Sequence, residues 1–398
     1  MRLYHVFVWF ALLSVGGCFA SCSTKEEVVT PDKPLPSDNS FYHGVDLSYV
    51  NQVMDHGGVY KENGEVSTPY HFLVKKGANL VRLRLWHNPD WVKSIYGDST
   101  PLYSGLEDVM KSISLAKREG AAVLLDIHYS DTWADPSHQS PPKAWENIDN
   151  ITVLKDSVYN YTYSLLKKMA LQNHLPEFVQ IGNEINGGIL STDTKANFPK
   201  LSVYDDHWDN QGQVINEGIR AVRHINREFG GDSKVVLHVA DPKNLSWWFD
   251  NISGKGGVTD YDVAGFSYYY IWHKQIAFAQ LEDHIRDFKN SIGKEVMLLE
   301  TSYPFTIADA DNYPNSFGSQ EPLEGYPFTL DGQKQYMIDL TQMMMDAGAS
   351  GVIIWEPAWI SSHMKDFWGT SSSWDNCTFF DFDGEMTKVV DYLHYPYK

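Results

Sequence analysis

The chain has 398 residues, of which 43% are apolar and 21% charged, a globular composition and not a disordered one. Against 32 Lys and Arg stand 51 Asp and Glu, and the formal charge of −19 argues against nucleic acid, anionic membrane surfaces and uronic-acid polymers as partners. Neutral or cationic ligands remain, and 13 Trp with 23 Tyr exceed what a core of this size needs, so some rings are expected to face a ligand.

The first residues read as targeting. Arg2 precedes an apolar stretch from Val6 to Val15, shorter than the roughly 20 residues that span a bilayer, and small residues with Cys18 and Cys22 follow. Gly17-Cys18 and Ala20-Ser21-Cys22 both resemble the site at which bacterial lipoproteins are cleaved and lipidated. Cys22 is preferred over Cys18, because Ser23-Thr24-Lys25-Glu26-Glu27 is similar to the Lys-plus-acidic export tag of surface lipoproteins in Bacteroides-type bacteria. An ordinary signal peptide with incidental cysteines is the plainer alternative. The expected layout is a signal over 1–21, a flexible tether over 22–40 that contains Pro31, Pro34 and Pro36, and one catalytic domain over 41–398. Such a protein would be a monomer at the outer-membrane surface and touch membrane only through its lipid. Of the three cysteines only Cys377 lies in the folded part, so no disulfide within the domain is available.

From residue 41 short apolar runs alternate with longer amphipathic stretches. The runs are Tyr42 to Leu47, Leu80 to Leu85, Ala122 to Ile127, Phe178 to Ile181, Val235 to Val239, Val263 to Ser267, Val296 to Leu299 and Val352 to Trp355. Several are continuously apolar, as parallel strands covered on both faces must be. Between them Leu106, Val109, Met110 and Ile113 follow a helical period, as do Ile215, Ile219, Val222 and Ile225 before Gly230-Gly231, a natural C-terminal cap. Eight such units without a second composition regime predict a single (β/α)8 TIM barrel of the α/β class. A doubly wound sheet is the alternative, but Gly44-Val45-Asp46-Leu47 stands where its phosphate-binding turn would follow the first strand.

In a barrel, functional side chains cluster just beyond the C-terminal strand ends. Strand 4 is followed by Gly182-Asn183-Glu184 and strand 7 by Glu300-Thr301-Ser302. Either glutamate alone would suit a cap or an ion pair. Together they aim two carboxylates into one cleft, the arrangement that glycosidic cleavage with retention requires. Arg84 alternates with Leu83 and Leu85, so it points into the barrel, where it can hold a carboxylate ionised or simply form a buried salt bridge. His128 and Tyr129 after strand 3, and Tyr268 and Tyr269 after strand 6, are hydrogen-bonding candidates. Trp86, Trp133, Trp145, Trp272, Trp355 and Trp359 lie at or beyond strand ends, where an indole can stack on a pyranose or fill core.

Gly44-Val45-Asp46-Leu47-Ser48-Tyr49, the Asn79 to Pro89 segment, Asp126-Ile127-His128-Tyr129-Ser130-Asp131-Thr132-Trp133-Ala134-Asp135-Pro136, Gly182-Asn183-Glu184, Gly265-Phe266-Ser267-Tyr268-Tyr269 and Glu300-Thr301-Ser302-Tyr303 occur in that order. This set resembles glycoside hydrolase family 53, the endo-β-1,4-galactanases, from about residue 41 to the end. The resemblance implies a clan A (β/α)8 fold and retaining cleavage of neutral β-1,4-galactan side chains of pectin, with no catalytic cofactor. It implies Glu184 as acid/base and Glu300 as nucleophile, with Asp46, Asn183 and Asp135 joining Arg84, His128, Tyr268, Trp86, Trp133 and Trp355 as supporting or substrate-binding residues. Tyr49 stands where the family often has Trp, Ser191 where a Trp commonly follows strand 4, and Tyr270 where Pro usually follows the paired tyrosines, so subsite number and product length are left open.

The segment Asp309-Ala310-Asp311-Asn312-Tyr313-Pro314-Asn315 places oxygen side chains at alternate positions around the Tyr313 carbonyl, as a loop wrapping Ca²⁺ does. Some bacterial galactanases are similar here and bind structural calcium between the loops after strands 7 and 8, with Asp375 matching the strand-8 contribution. A solvated acidic loop is the alternative. Two rival functions stay open. A glycan-binding surface lipoprotein should lack a catalytic carboxylate, and a clan A hydrolase of mannan or arabinan would differ only in loop geometry.

Overall fold

A computed structural model describes residues 41–398; the signal, Cys18, Cys22 and the tether lie outside these residues. Eight strands, β1 (Tyr42–Asp46), β2 (Leu80–Leu85), β3 (Ala122–Ile127), β4 (Phe178–Ile181), β5 (Lys234–Ala240), β6 (Val263–Ser267), β7 (Glu295–Thr301) and β8 (Gly351–Ile354), form a closed parallel barrel. β1 closes it by pairing with both β8 and β2. The (β/α)8 expectation is met; nine of the sixteen strand ends fall where expected and the other seven are displaced by one or two residues.

Alternation along each strand divides the side chains between two layers. Leu80, Leu124, Phe178, Val236, Met297 and Ile353 point inward and fill the lower half of the barrel. Val81, Leu83, Val123, Leu125, Val235 and Leu237 point outward and pack under the helices. The inward positions further along the strands are polar: Arg82 and Arg84 on β2, Asp126 on β3, Gln180 on β4 and His238 on β5, all buried. The barrel is therefore apolar at its base and charged at its mouth.

The helix Leu106–Arg118 buries Val109, Met110 and Ile113, with Glu107 and Asp108 in its first turn and Lys117 and Arg118 in its last, matching the helix dipole. The helix Trp208–Phe229 buries Ile215, Ile219, Val222 and Ile225 and stops where Gly230 takes a left-handed φ of 67°. An antiparallel hairpin, Tyr60–Glu62 with Glu65–Ser67, stands between β1 and β2 and was not expected. Its turn is Asn63-Gly64, both at positive φ (52° and 79°), the conformation of a type I′ hairpin. Cys377 is a buried free thiol. Among the described residues no helix is long and apolar enough to cross a membrane.

Candidate active site

Two local distortions bring Glu184 and Glu300 to the mouth. Beyond β4 the chain turns at Gly182, whose φ is +84° and where a Cβ would meet Ile185 Cγ2 at 2.7 Å. Glu184 follows at φ 46°, a conformation costing a non-glycine residue about 1–3 kcal/mol. The turn is stitched in place: Ile185 N donates to the His238 carbonyl at 2.9 Å, and Asn186 exchanges two 2.7 Å hydrogen bonds with Ala240. On β7 a bulge does the work. Leu298 pairs with Val352 and Thr301 with Ile354, so Leu299 and Glu300 together oppose the single Ile353. Leu299 fills the interior, where Gly265 leaves it room (a Cβ there would lie 2.1 Å from Leu299 Cδ1), and the extra residue re-aims Glu300 inward. A carboxylate oxygen of each glutamate and a ring nitrogen of His238 all lie within 4.8 Å of one another.

Arg82 organises the charges. Its Nη1 is 2.8 Å from Glu300 Oε1 and 2.8 Å from Asp46 Oδ2, and its Nη2 is 2.9 Å from Asp126 Oδ2. Nη2 also donates to Asn183 Oδ1 at 2.7 Å. Tyr269 donates its hydroxyl to Glu300 Oε2 at 3.2 Å. Among the described residues no cation contacts Glu184; Ser267 Oγ lies 2.5 Å from its Oε1. Burial raises the pKa of both glutamates. Glu300 adds repulsion to Glu184, whereas Arg82 pulls Glu300 back toward the ionised form, so a proton shared by the pair resides on Glu184.

Several expectations need correction. Arg82, not Arg84, holds the strand-7 carboxylate. Both point inward by the period of two, and strand tilt decides which lies level with Glu300. Arg84 sits among the rings of Tyr49, Trp86 and Trp133, 4.4, 4.5 and 4.1 Å from their centroids, and faces buried Glu356 at 3.6 Å. Tyr268 does not reach the cleft. Ser267 faces inward, so Tyr268 turns outward to pack near Phe278 and Tyr269 turns in. Asp46 and His128 are buried supports: Asp46 binds Arg82, and His128 bridges Asp126 Oδ2 at 3.0 Å and the Ala134 amide at 3.0 Å. Trp86 is buried beneath Arg84, and Trp145 and Trp359 are likewise core. Tyr49 is also buried, so its departure from the family pattern changes packing, not the groove.

What remains forms a cleft of about 370 Å³ floored by both glutamates and walled by Asn183, Asp135, Trp133 and Trp355, with Tyr269, Trp272 and Trp374. Trp355 and Trp374 meet edge to face at 4.7 Å, and Trp133 lies 5.7 Å from Trp355. Trp272 is half exposed. Tyr269, a hydrogen-bonding candidate from the sequence, reaches the site, whereas Arg82, Trp374, His238 and Ser267 are site residues the sequence did not single out; of these four all but Trp374 follow from extending the inward alternation of β2, β5 and β6.

Two groups of side chains bring several cation-ligating atoms together. The Glu184, His238 and Glu300 donors suit one poorly, because Arg82 already occupies Glu300 and both His238 nitrogens have partners. The loop residues suit one better. Ser361 Oγ bridges Asp311 and Asp375 at 2.6 Å each, Asn315 N donates to Asp309 Oδ1 at 3.1 Å, and Tyr313 N donates to Asp311 at 2.6 Å. Asn315 Nδ2 donates to Asp375 at 2.6 Å while its buried Oδ1 has no partner among the described residues. Burial raises Asp375, and Asp311 beside it adds repulsion, as expected where a positive charge is wanting.

Comparison with known proteins agrees with this architecture. The chain is 41% identical over 346 residues to the arabinogalactan endo-β-1,4-galactanase of Cellvibrio japonicus, covering 87% of this chain and 88% of that one. It is 31% identical to the endo-β-1,4-galactanase of Bacillus subtilis, covering 98% and 95%. The solved family 53 catalytic domain of Ignisphaera aggregans superposes with a TM-score of 0.79 at 33% identity, covering 92% of this chain and 99% of that one. Residues 42–393 match glycosyl hydrolase family 53, and the chain belongs to that family.

Proposed function

We infer that the protein is a retaining endo-β-1,4-galactanase. The observation that carries this reading is the approach of Glu184 and Glu300 oxygens to within 4.8 Å, with a cation on Glu300 alone. Retaining glycosidases hold their carboxyl groups about 5–5.5 Å apart, whereas inverting ones leave about 6.5–9.5 Å for a water. Glu300, ionised against Arg82, attacks the anomeric carbon. Glu184 protonates the departing glycosidic oxygen, then removes a proton from the water that opens the glycosyl-enzyme. Tyr269 orients the Glu300 carboxylate for attack. Galactan as the neutral substrate is supported by the activities of the two bacterial relatives and by the aromatic walls of an open cleft.

Glu184→Gln should lower kcat on galactan about 10²–10⁴-fold, the usual contribution of a general acid. Glu300→Gln should leave background activity, and nuclear magnetic resonance should find the first product in the β configuration. Near-normal activity in either variant, or an α product, overturns the assignment. Digestion of galactan, mannan, arabinan and arabinogalactan in parallel tests the substrate. Asp309, Asp311, the Tyr313 carbonyl, Asn315 and Asp375 would hold a structural Ca²⁺, which would tie the loops after β7 and β8 together. The lipid anchor at Cys22 supported by the N-terminal residues would place the enzyme at the cell surface; Cys22→Ala should move it from the membrane pellet to the supernatant.

A further inference from the structure

Behind Glu184 runs a chain of buried polar side chains that this mechanism leaves unused. Ser267 Oγ stands 2.5 Å from Glu184 Oε1 and 2.8 Å from His238 Nε2. On the far side of the ring, Nδ1 is 2.8 Å from Asn183 Oδ1. Ser267 and His238 are fully buried, so their neighbours decide where each hydrogen points.

The far end of the chain fixes the direction of each hydrogen bond. Arg82 Nη2 donates to Asn183 Oδ1 at 2.7 Å and Asn183 Nδ2 donates to the Ala134 carbonyl at 2.8 Å, which orients the amide. Since Oδ1 only accepts, His238 Nδ1 carries the hydrogen. Gln180 Nε2, 3.2 Å from Nδ1, has three nearer oxygen acceptors for its two hydrogens, Asp126 Oδ1 at 2.5 Å, the Gly182 carbonyl at 3.0 Å and Asn183 Oδ1 at 3.1 Å, and leaves none for Nδ1. Burial, and then Arg82, push this imidazole below its usual range, so Nε2 is a bare acceptor. The one hydrogen of Ser267 points there. Only a lone pair is left toward Glu184, and the 2.5 Å contact is made by a hydrogen on Glu184 itself.

We propose that Ser267 and His238 are positioning residues that hold Glu184 in its acid form by turning the serine hydroxyl away from the carboxyl. The proposal rests on Glu184 being the acid/base. When Glu184 protonates the leaving oxygen, its O–H bond breaks and the O–H of the departing sugar forms. The Ser267 hydroxyl then turns to the new carboxylate and leaves Nε2 without a donor. Proton abstraction from water in the second step restores the first pattern. The relay thus favours the acid at rest and tolerates the base only during the intermediate. The groups facing it are Arg82 from β2, Asp126 and His128 from β3, Asp135 beyond β3, Tyr269 and His273 beyond β6, and Glu300 from β7. All of them are kept in the variants that test it.

The test is kcat/KM on galactan against pH for the wild type, His238→Leu, His238→Gln and Ser267→Ala. His238→Leu frees the serine hydrogen for the carboxylate, so the alkaline limb should fall by about one pH unit. His238→Gln offers serine an amide oxygen and should restore the limb. Ser267→Ala removes the donor altogether, and its limb should not fall. A purely structural role would lower activity and leave the limbs in place. A limb in His238→Leu within about 0.3 units of wild type overturns the proposal, as does a fall in Ser267→Ala. Nitrogen-15 resonances of the wild-type ring need no variant to fold: a proton on Nε2 also overturns it. Azide rescue of Glu184→Ala with an activated aryl β-galactobioside separates the two readings. Without rescue the acid/base role falls; with rescue and an unmoved limb, only the relay does.

Discussion

Arg82→Met is the most severe test of the mouth's electrostatics. The guanidinium is buried and lies within 2.9 Å of three carboxylates, those of Asp46, Asp126 and Glu300. Removing one partner of a buried ion pair costs about 3–5 kcal/mol, because the other charge stays desolvated. At about 2.1 cal/mol/K per residue, a domain of about 360 residues unfolds with an entropy near 0.75 kcal/mol/K, so this loss should lower Tm by about 4–7 °C. Kinetics should respond as well. Glu300 must be ionised to attack, and Arg82 is the cation that opposes the upward push of burial on it. Without it Glu300 titrates at higher pH, and the acidic limb of kcat/KM moves up. Arg82→Lys keeps the charge but loses the planar fork that reaches three acids, and should fall between wild type and Arg82→Met. Differential scanning fluorimetry and reducing-sugar assays from acid to neutral pH measure both effects. The reasoning is refuted if Tm changes by less than about 1 °C, or if Arg84→Met moves the acidic limb as far as Arg82→Met.

Other outcomes follow from the same geometry. Burial and Glu300 raise the Glu184 pKa, so the stability linked to this carboxyl is present below the ordinary carboxylate range and lost as pH rises through the folded value. Glu184→Gln, with no charge to bury, should therefore melt a few degrees above wild type at neutral pH and level with it in acid; a lower Tm at neutral pH would contradict this. Trp272→Ala should raise KM on galactan about five-fold, the loss of about 1 kcal/mol of stacking, with kcat little changed; an equal fall in kcat would instead give the ring a role in the transition state. Chelation should lower the Tm of wild type by several degrees and leave Asp375→Asn unaffected, and an unchanged wild-type Tm would rule out a tight cation site in the loops.

The barrel was legible because strands covered on both faces carry almost uninterrupted apolar runs, and β2 through β4 were found with their bounds intact. Glu184 and Glu300 were legible because each follows such a run directly. Depth was not. Alternation shows that Arg82 and Arg84 share a face, but the level at which each meets its neighbours depends on strand tilt and shear, which no single strand encodes. The paired tyrosines were decidable in principle, since an inward Ser267 forces Tyr268 outward and Tyr269 inward, yet this needs the end of β6 to the residue. The bulge that aims Glu300 leaves no mark in Leu298-Leu299-Glu300-Thr301, because the extra residue is defined by its pairing with Ile353. The Asn63-Gly64 turn did carry a hairpin signal, but Glu65 and Val66 are exposed, so the second strand lacks a buried face to mark it.

Strain is concentrated where the chemistry is. Tyr129, Glu184 and Glu356, at or beyond the ends of β3, β4 and β8, adopt positive φ of 53°, 46° and 45° without being glycine. At about 1–3 kcal/mol each, these three together rival the net stability of many domains. Each has a local restraint: Tyr129 bonds Thr162 at 2.7 Å, the Glu184 turn is tied to β5, and Glu356 is caught between the Tyr49 amide at 3.4 Å and Arg84. The opposing free energy comes from the lower barrel and the helix layer, which bury nearly all of their apolar side chains. Substitutions at the base should therefore lower Tm while leaving kcat intact in the folded fraction. At the mouth, relaxing a strained glutamate should do the reverse, because the same backbone twist that costs stability holds the two carboxylates close enough to share one proton.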